Sequence, residues 1–146
     1  MIGWILDRLG RRWWAYREGA EREFWILETG RDIVPSTLDL SSDEPRATYA
    51  RGYFDAEGGI PQSQEARFYV QFVQKNRGDL VEVRSAIERL GLSCGRVHNP
   101  SASVDPNMWR FYVAAKSHHD FAARVGSWHP RKRSLLEVRF GLERPG

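Results

Sequence analysis

Ala50-Arg51-Gly52-Tyr53-Phe54-Asp55-Ala56-Glu57-Gly58 is the stretch on which the reading of this chain turns. Ala50, Gly52 and Ala56 remove side-chain bulk from parts of a helix surface, so two such helices can approach closely. A close pair would bring two copies of Glu57 together. Glu57 falls where the helix dipole is negative, an unfavourable place for an anion unless a cation compensates it. The sequence reading makes a bound divalent metal that cation. Asp55, two residues back, points elsewhere on the helix and reads as a capping or structural residue. Upstream, Ser42 or Asp43 is the candidate N-cap and Pro45 suits a first turn, which places the helix at about Arg46 to Glu57. Gly58-Gly59 ends it.

Downstream the period changes from helical to alternating. Ala66, Phe68, Val70 and Phe72 alternate with Arg67, Tyr69, Gln71 and Val73, a strand with one apolar and one mostly polar face. Leu80, Val83, Ile87 and Leu90 return to helical spacing over Asp79–Leu90, with Gly91 as the stop. Arg96–His98 and Met108–Ala114 read as further strands joined by a loop with Asn-Pro and Asp-Pro turn signals. Helices over about Ser117–Val125 and Pro130–Phe140 complete an α-β-β-α-β-β-α-α order.

The 146 residues fit one domain with an appendage, and 41% hydrophobic residues fill a core of that size. The single cysteine, Cys94, excludes a disulfide framework and a multi-thiolate zinc site. No window is apolar enough for a membrane span, so the expectation is a soluble intracellular protein of the cytoplasm or nucleoid, without a membrane partner. The net charge of +3 hides an asymmetry: residues 1–45 carry six Arg and nine acids, and residues 46–146 carry sixteen Lys or Arg and ten acids. That pattern suggests a polyanion-binding portion attached to something else. Nineteen of the 22 basic residues are arginine, which suits bidentate contacts to phosphate and guanine and is equally what a GC-rich genome would produce.

Ahead of this basic part lies a tryptophan-rich leader. Ile5, Leu9 and Trp13, flanked by Leu6, Trp14 and Tyr16, form a broad apolar stripe at helical spacing, and Pro35–Arg46 reads as a linker. The expected division is therefore a helical N-terminal extension over 1–45 and a main domain over 46–146.

The nine-residue stretch resembles the signature of the LAGLIDADG homing endonucleases: Gly at the third place, two large apolar residues, then Asp, Ala, an acid and Gly, with Ala50 where the family usually has Leu. Val70–Lys75 looks like the end of the family's second strand, and Gly126–Lys132 like its basic turn near the C-terminus. The resemblance covers about residues 47–140. It implies an α+β fold of αββαββα type with an antiparallel DNA-binding sheet, to which the leader adds a Trp-rich helical extension. It also implies a site-specific double-strand DNA endonuclease of the kind encoded in a mobile intron or intein. Such an enzyme uses Mg²⁺ or another divalent cation to activate a water and stabilise the leaving oxygen.

By this resemblance Glu57 is the metal-binding acid, Lys132 the lysine that stabilises charge developing on the phosphate, and Gln74 an organiser of the water network. Arg67 and Gln71 match DNA-contact positions, and Tyr69, Arg96 and Arg110 join them as polar residues on outward strand faces. With one motif per chain, cutting two strands calls for a homodimer paired through Ala50, Gly52, Tyr53 and Ala56, acting on a near-palindromic duplex. The alternative is a protein of the same fold that binds nucleic acid without cutting it, as an intron maturase or transcriptional regulator. A His-metal nuclease is disfavoured, since His118 and His119 diverge by about 100° on a helix and His98 and His129 have no spaced partner.

Overall fold

In a computed structural model of the protein, the described residues are 6–8, 10–17, 19, 25–30, 38–63 and 65–142. They divide between Leu38 and Asp39 into two compact units. None of the described helices is long and apolar enough to cross a membrane.

The first unit departs from the expected helix. Helical conformation among its described residues is confined to Leu6–Arg8, and Gly10 follows at φ 61°. Ile5 and Leu9 of the predicted stripe, Trp4, and residues 35–37 of the predicted linker lie outside the described residues. Trp13–Arg17 forms strand β1 and pairs antiparallel with β2, Trp25–Thr29, with Trp14 opposite Glu28. The Glu28 carboxylate accepts from Trp14 Nε1 at 2.6 Å and from Tyr16 OH at 2.9 Å. Residues i and i+2 share one face of a strand, so a single acid can serve both aromatics. Trp13, Trp14 and Tyr16 have strong β-propensity, and their cross-strand pairing overrides the helical spacing.

In the second unit, helix α1 runs Asp43–Glu57, starting three residues earlier than expected. Asp43 and Glu44 sit in its first turn, where the dipole favours anions, and the Arg46 guanidinium ties Leu40 O, Ser41 O and Asp43 together. Three short strands follow in the spatial order β3 (Gly58–Gly59), β4 (Gln71–Gln74), β5 (Trp109–Tyr112), all antiparallel. Gly58 faces Phe72 and Phe72 faces Phe111.

The ladder is shorter than the alternation predicted. Ala66 to Tyr69 precede it, and Arg96–His98 meets β5 in one isolated bridge, His98↔Arg110, with a second bridge, Cys94↔Val113, just outside both segments. Helix α2, Arg77–Arg89, is capped by the Asn76 side chain, which accepts from Gly78 N and Asp79 N, and buries Leu80, Val83, Ala86 and Ile87. After a single 3₁₀ turn come α3 (His118–Arg124) and α4 (Pro130–Phe140), the latter with Pro130 in its first turn and Gly141 in the left-handed conformation at its end.

These elements meet in one aromatic core. The Phe72 and Phe111 rings stack at 4.8 Å and 3°, and Phe54 of α1 meets Phe121 of α3 edge-on at 5.2 Å. All four are fully buried, each contributing about 1.5–3 kcal/mol by area alone. Because Phe54 is held from two sides, the C-terminal end of α1 is set against the sheet edge.

Candidate functional site

The end of α1 is closed by a cation from a distant part of the chain. Lys132, on α4, is 8% exposed, and its Nζ donates to Phe54 O at 2.6 Å, Gly58 O at 2.8 Å and Asp55 O at 3.0 Å. The same ammonium lies 4.8 Å from the Phe54 ring centroid. A lysine has three N–H donors, so all of them are directed at helix-end carbonyls. Lys132 thus supplies one compensating cation at the negative end of the helix dipole, on the backbone carbonyls. Burial pushes the Lys132 pKa down, and Arg131 adds to this, whereas the carboxylates of Asp55 and Glu57 pull it back up.

Gly58 allows this closure by having no side chain. A methyl group there would run into the Phe54 ring and come within 2.5 Å of the Phe54 carbonyl oxygen. The backbone at Gly58 is extended (φ −90°), so close approach is what requires glycine. Gly58→Ala is expected to lower unfolding free energy by about 1–3 kcal/mol or more, read as an earlier midpoint in urea.

Asp55 and Arg51 fasten the opposite side of the helix to the 125–129 turn. Asp55 accepts from Ser127 Oγ and, at 2.9 Å, from Trp128 N. Arg51 Nε donates to Val125 O, and its guanidinium lies 4.9 Å from the centre of the Trp128 ring. Arg51, Ser127 and Trp128 lie in stretches that carry the resemblance but were given no role of their own from the sequence. The available signal was Arg51 itself, the one cation in the signature stretch Ala50–Gly58.

This arrangement corrects part of the expected pairing face. Ala50 is wholly buried in the chain's own core and has no surface to offer a partner, because it lies on the stripe that carries Phe54. Tyr53 is half-buried against Phe72 and Tyr49, at 6.3 and 6.2 Å between ring centroids. Gly52 sits beneath Trp128, and Ala56 is exposed.

Glu57 is exposed at the helix end and lines an open cleft of about 460 Å³ with Gly58, Gly59, Gln71, Gln74 and Lys75. The Gln74 side-chain oxygen accepts from Lys75 N at 2.7 Å. Glu57, Gln74 and Gln71 therefore share one cleft, while Lys132 touches the same helix end from within. Among the described residues no group of three Asp, Glu, His or Cys side chains is placed to hold a metal. A lone carboxylate fits Mg²⁺ only where phosphate oxygens, waters or a second carboxylate complete the set, which is how Mg²⁺ is commonly held on a phosphorylated substrate.

The sheet's outer face is opposite Phe72 and Phe111. Gln71 and Arg110 lie on it by strand alternation. Tyr69 reaches it by packing on Tyr112, the cross-strand partner of Gln71. Arg67 is exposed just ahead of the ladder, and Arg96 is exposed between the two bridges. Tyr112 and His98 also belong to this surface and were not named as DNA contacts from the sequence, where His98 was weighed only as a metal ligand.

Residues 44–126 match the family model of the LAGLIDADG-like domain, more than half of the chain. No curated protein matches, and no solved structure does. Lys132 and the Trp128 turn lie beyond the matched stretch, whereas the signature helix, its terminal acid, the cleft and the outward strand residues lie within it. The chain belongs to the LAGLIDADG homing endonuclease family.

Proposed function

We propose that this protein is a site-specific endonuclease that binds duplex DNA as a homodimer across the outer face of its sheet and hydrolyses both strands at a near-palindromic site. The observation that carries this reading is the exposed carboxylate of Glu57 at a cleft on the edge of that sheet. Residues 46–146 form the nuclease domain in this proposal, with 1–45 as an appended segment. The protein would work inside the cell, where DNA is.

Glu57 is the metal-binding acid. A divalent cation such as Mg²⁺ held there supplies an activated water and stabilises the leaving oxygen. Gln74, which lines the cleft beside Glu57, orients water through its side-chain amide. Lys132 acts as a positioning residue: by gathering three carbonyls it holds the helix end that aims Glu57, in place of the direct phosphate contact that the resemblance implied. Arg67 and Gln71, with Tyr69, Arg96 and Arg110, face the groove or the phosphates.

A cleavage selection from randomised duplex DNA with Mg²⁺ tests the proposal. The expected product is a near-palindromic site cut by a protein that sediments as a dimer on DNA. Arg67→Ala and Gln71→Ala are expected to change the recovered sequence profile, each losing roughly 1–3 kcal/mol of discrimination per half-site, and Arg12→Ala in the leader is not. A duplex that is bound specifically and never cut would favour the cleavage-deficient alternative. A monomer on DNA would remove the homodimer.

A further inference from the structure

The outer face of the sheet carries an apolar row at its middle. Tyr112 points outward because Phe111 and Val113 on either side of it are buried. Tyr69 meets its ring edge-on, with centroids 6.2 Å apart and planes at 88°, and His98 approaches from the other neighbouring segment at 6.3 Å and 31°. All three are half-buried. One step along the ladder, Val73 lies opposite Arg110, whose buried Nε has no hydrogen-bond partner. Exposed Arg67 and half-buried Gln71 complete the surroundings. Hydrophobic and aromatic atoms thus occupy the centre of a face whose margins are cationic and hydrogen-bonding.

We propose that Tyr69, Tyr112 and His98 form a contact for the 5-methyl group of thymine, so that the protein prefers thymine at one position of each half-site. This rests on the DNA-binding reading above and narrows it. The edges of bases in the major groove are donors and acceptors apart from one apolar feature, the thymine methyl. The ring carbons of a half-buried aromatic row on a groove-facing sheet are complementary to that apolar feature, and the Tyr hydroxyls and the His98 ring nitrogens remain for polar base edges beside it. A splayed, unpaired base would need a broad free ring face. Tyr112 is flanked from both neighbouring strands, which favours a compact methyl contact over stacking.

The test uses the duplex that the wild-type protein selects from a randomised pool, with each thymidine replaced in turn by deoxyuridine, and binding read in Ca²⁺. Deoxyuridine at one position is expected to weaken binding about fourfold per half-site, the effect of exposing one buried methyl. In Tyr112→Ser the same replacement should have no effect, while Arg67→Ala should retain it. Circular dichroism checks folding, and His98→Ala serves as a second variant if Tyr112→Ser does not fold.

The proposal is overturned if wild-type protein tolerates deoxyuridine at every position, or if both aromatic variants lose as much affinity on deoxyuridine replacement as wild type does. Tighter binding to the corresponding single strand or RNA than to the duplex would also overturn it. Specific binding that is indifferent to deoxyuridine removes the aromatic contact alone, whereas failure to select any duplex removes the DNA-binding reading with it.

Discussion

Glu57→Gln is expected to lower single-turnover cleavage on the order of 10³-fold or more while leaving the affinity for the same duplex in Ca²⁺ within about twofold. The substitution keeps size and hydrogen-bonding shape and removes the charge proposed to hold the metal. A bound divalent ion supplies several kcal/mol of transition-state stabilisation, and each 1.36 kcal/mol lost is about tenfold in rate. Binding should survive, because Arg67, Tyr69, Arg96 and Arg110 lie outside the cleft that Glu57 lines, and Gln71, which shares that cleft, is left unchanged. Stability should hold as well: Glu57 is exposed, and in a dimer its loss relieves two facing carboxylates. Cleavage at the wild-type rate would sink the proposed mechanism.

Lys132→Met should be the most destabilising of the conservative changes near the site, lowering unfolding free energy by about 3–5 kcal/mol in urea titrations. Methionine fills nearly the same volume, so packing around Phe54 is retained. What is lost is the donor set. Three carbonyls at 2.6, 2.8 and 3.0 Å lose a charged partner at once, at a helix end where the dipole already favours a cation. Hydrogen bonds to charged groups contribute about 1.5–3 kcal/mol each, and their losses overlap at one centre, so the total falls below a simple sum. Phe54 O retains its bond from Gly58 N, which limits the damage. Lys132→Arg should recover only part of the loss, because a planar fork cannot converge on three carbonyls as an ammonium does. At temperatures where the variant stays folded, cleavage should drop less than in Glu57→Gln. A Lys132→Met protein as stable as wild type but slow to cut would return this lysine to the phosphate.

Local periodicity encoded much of the second unit. The 3.6-residue stripe of Leu80, Val83 and Ile87 is a property of the segment alone, and α2 forms where the stripe lies. The alternation through Val70 and Phe72 likewise assigned the dry face of β4. Gly58-Gly59 was legible as a stop, and Glu57 as an exposed acid just before it, because a helix end and the residues around it are adjacent in the chain. The leader was not legible in this way. Trp13, Trp14 and Tyr16 suit a helix or a strand, and the choice depended on a partner strand at Trp25–Thr29 that no local window contains.

The amino-acid order by itself determined that an α+β chain ends a signature helix in an exposed acid beside a period-two strand, since spacing, breakers and charge are local quantities. The tertiary structure decided what surrounds that helix. The docking of α4 sent Lys132 to carbonyls of Phe54, Asp55 and Gly58, and the turn after α3 brought Ser127 and Trp128 to Asp55. It also fixed the rotation of α1 about its axis, burying Ala50 while Ala56 remained at the surface. Each of these outcomes joins groups more than seventy residues apart or depends on where the common core lies, and packing alone selects among the rotations and partners that a local pattern leaves equivalent.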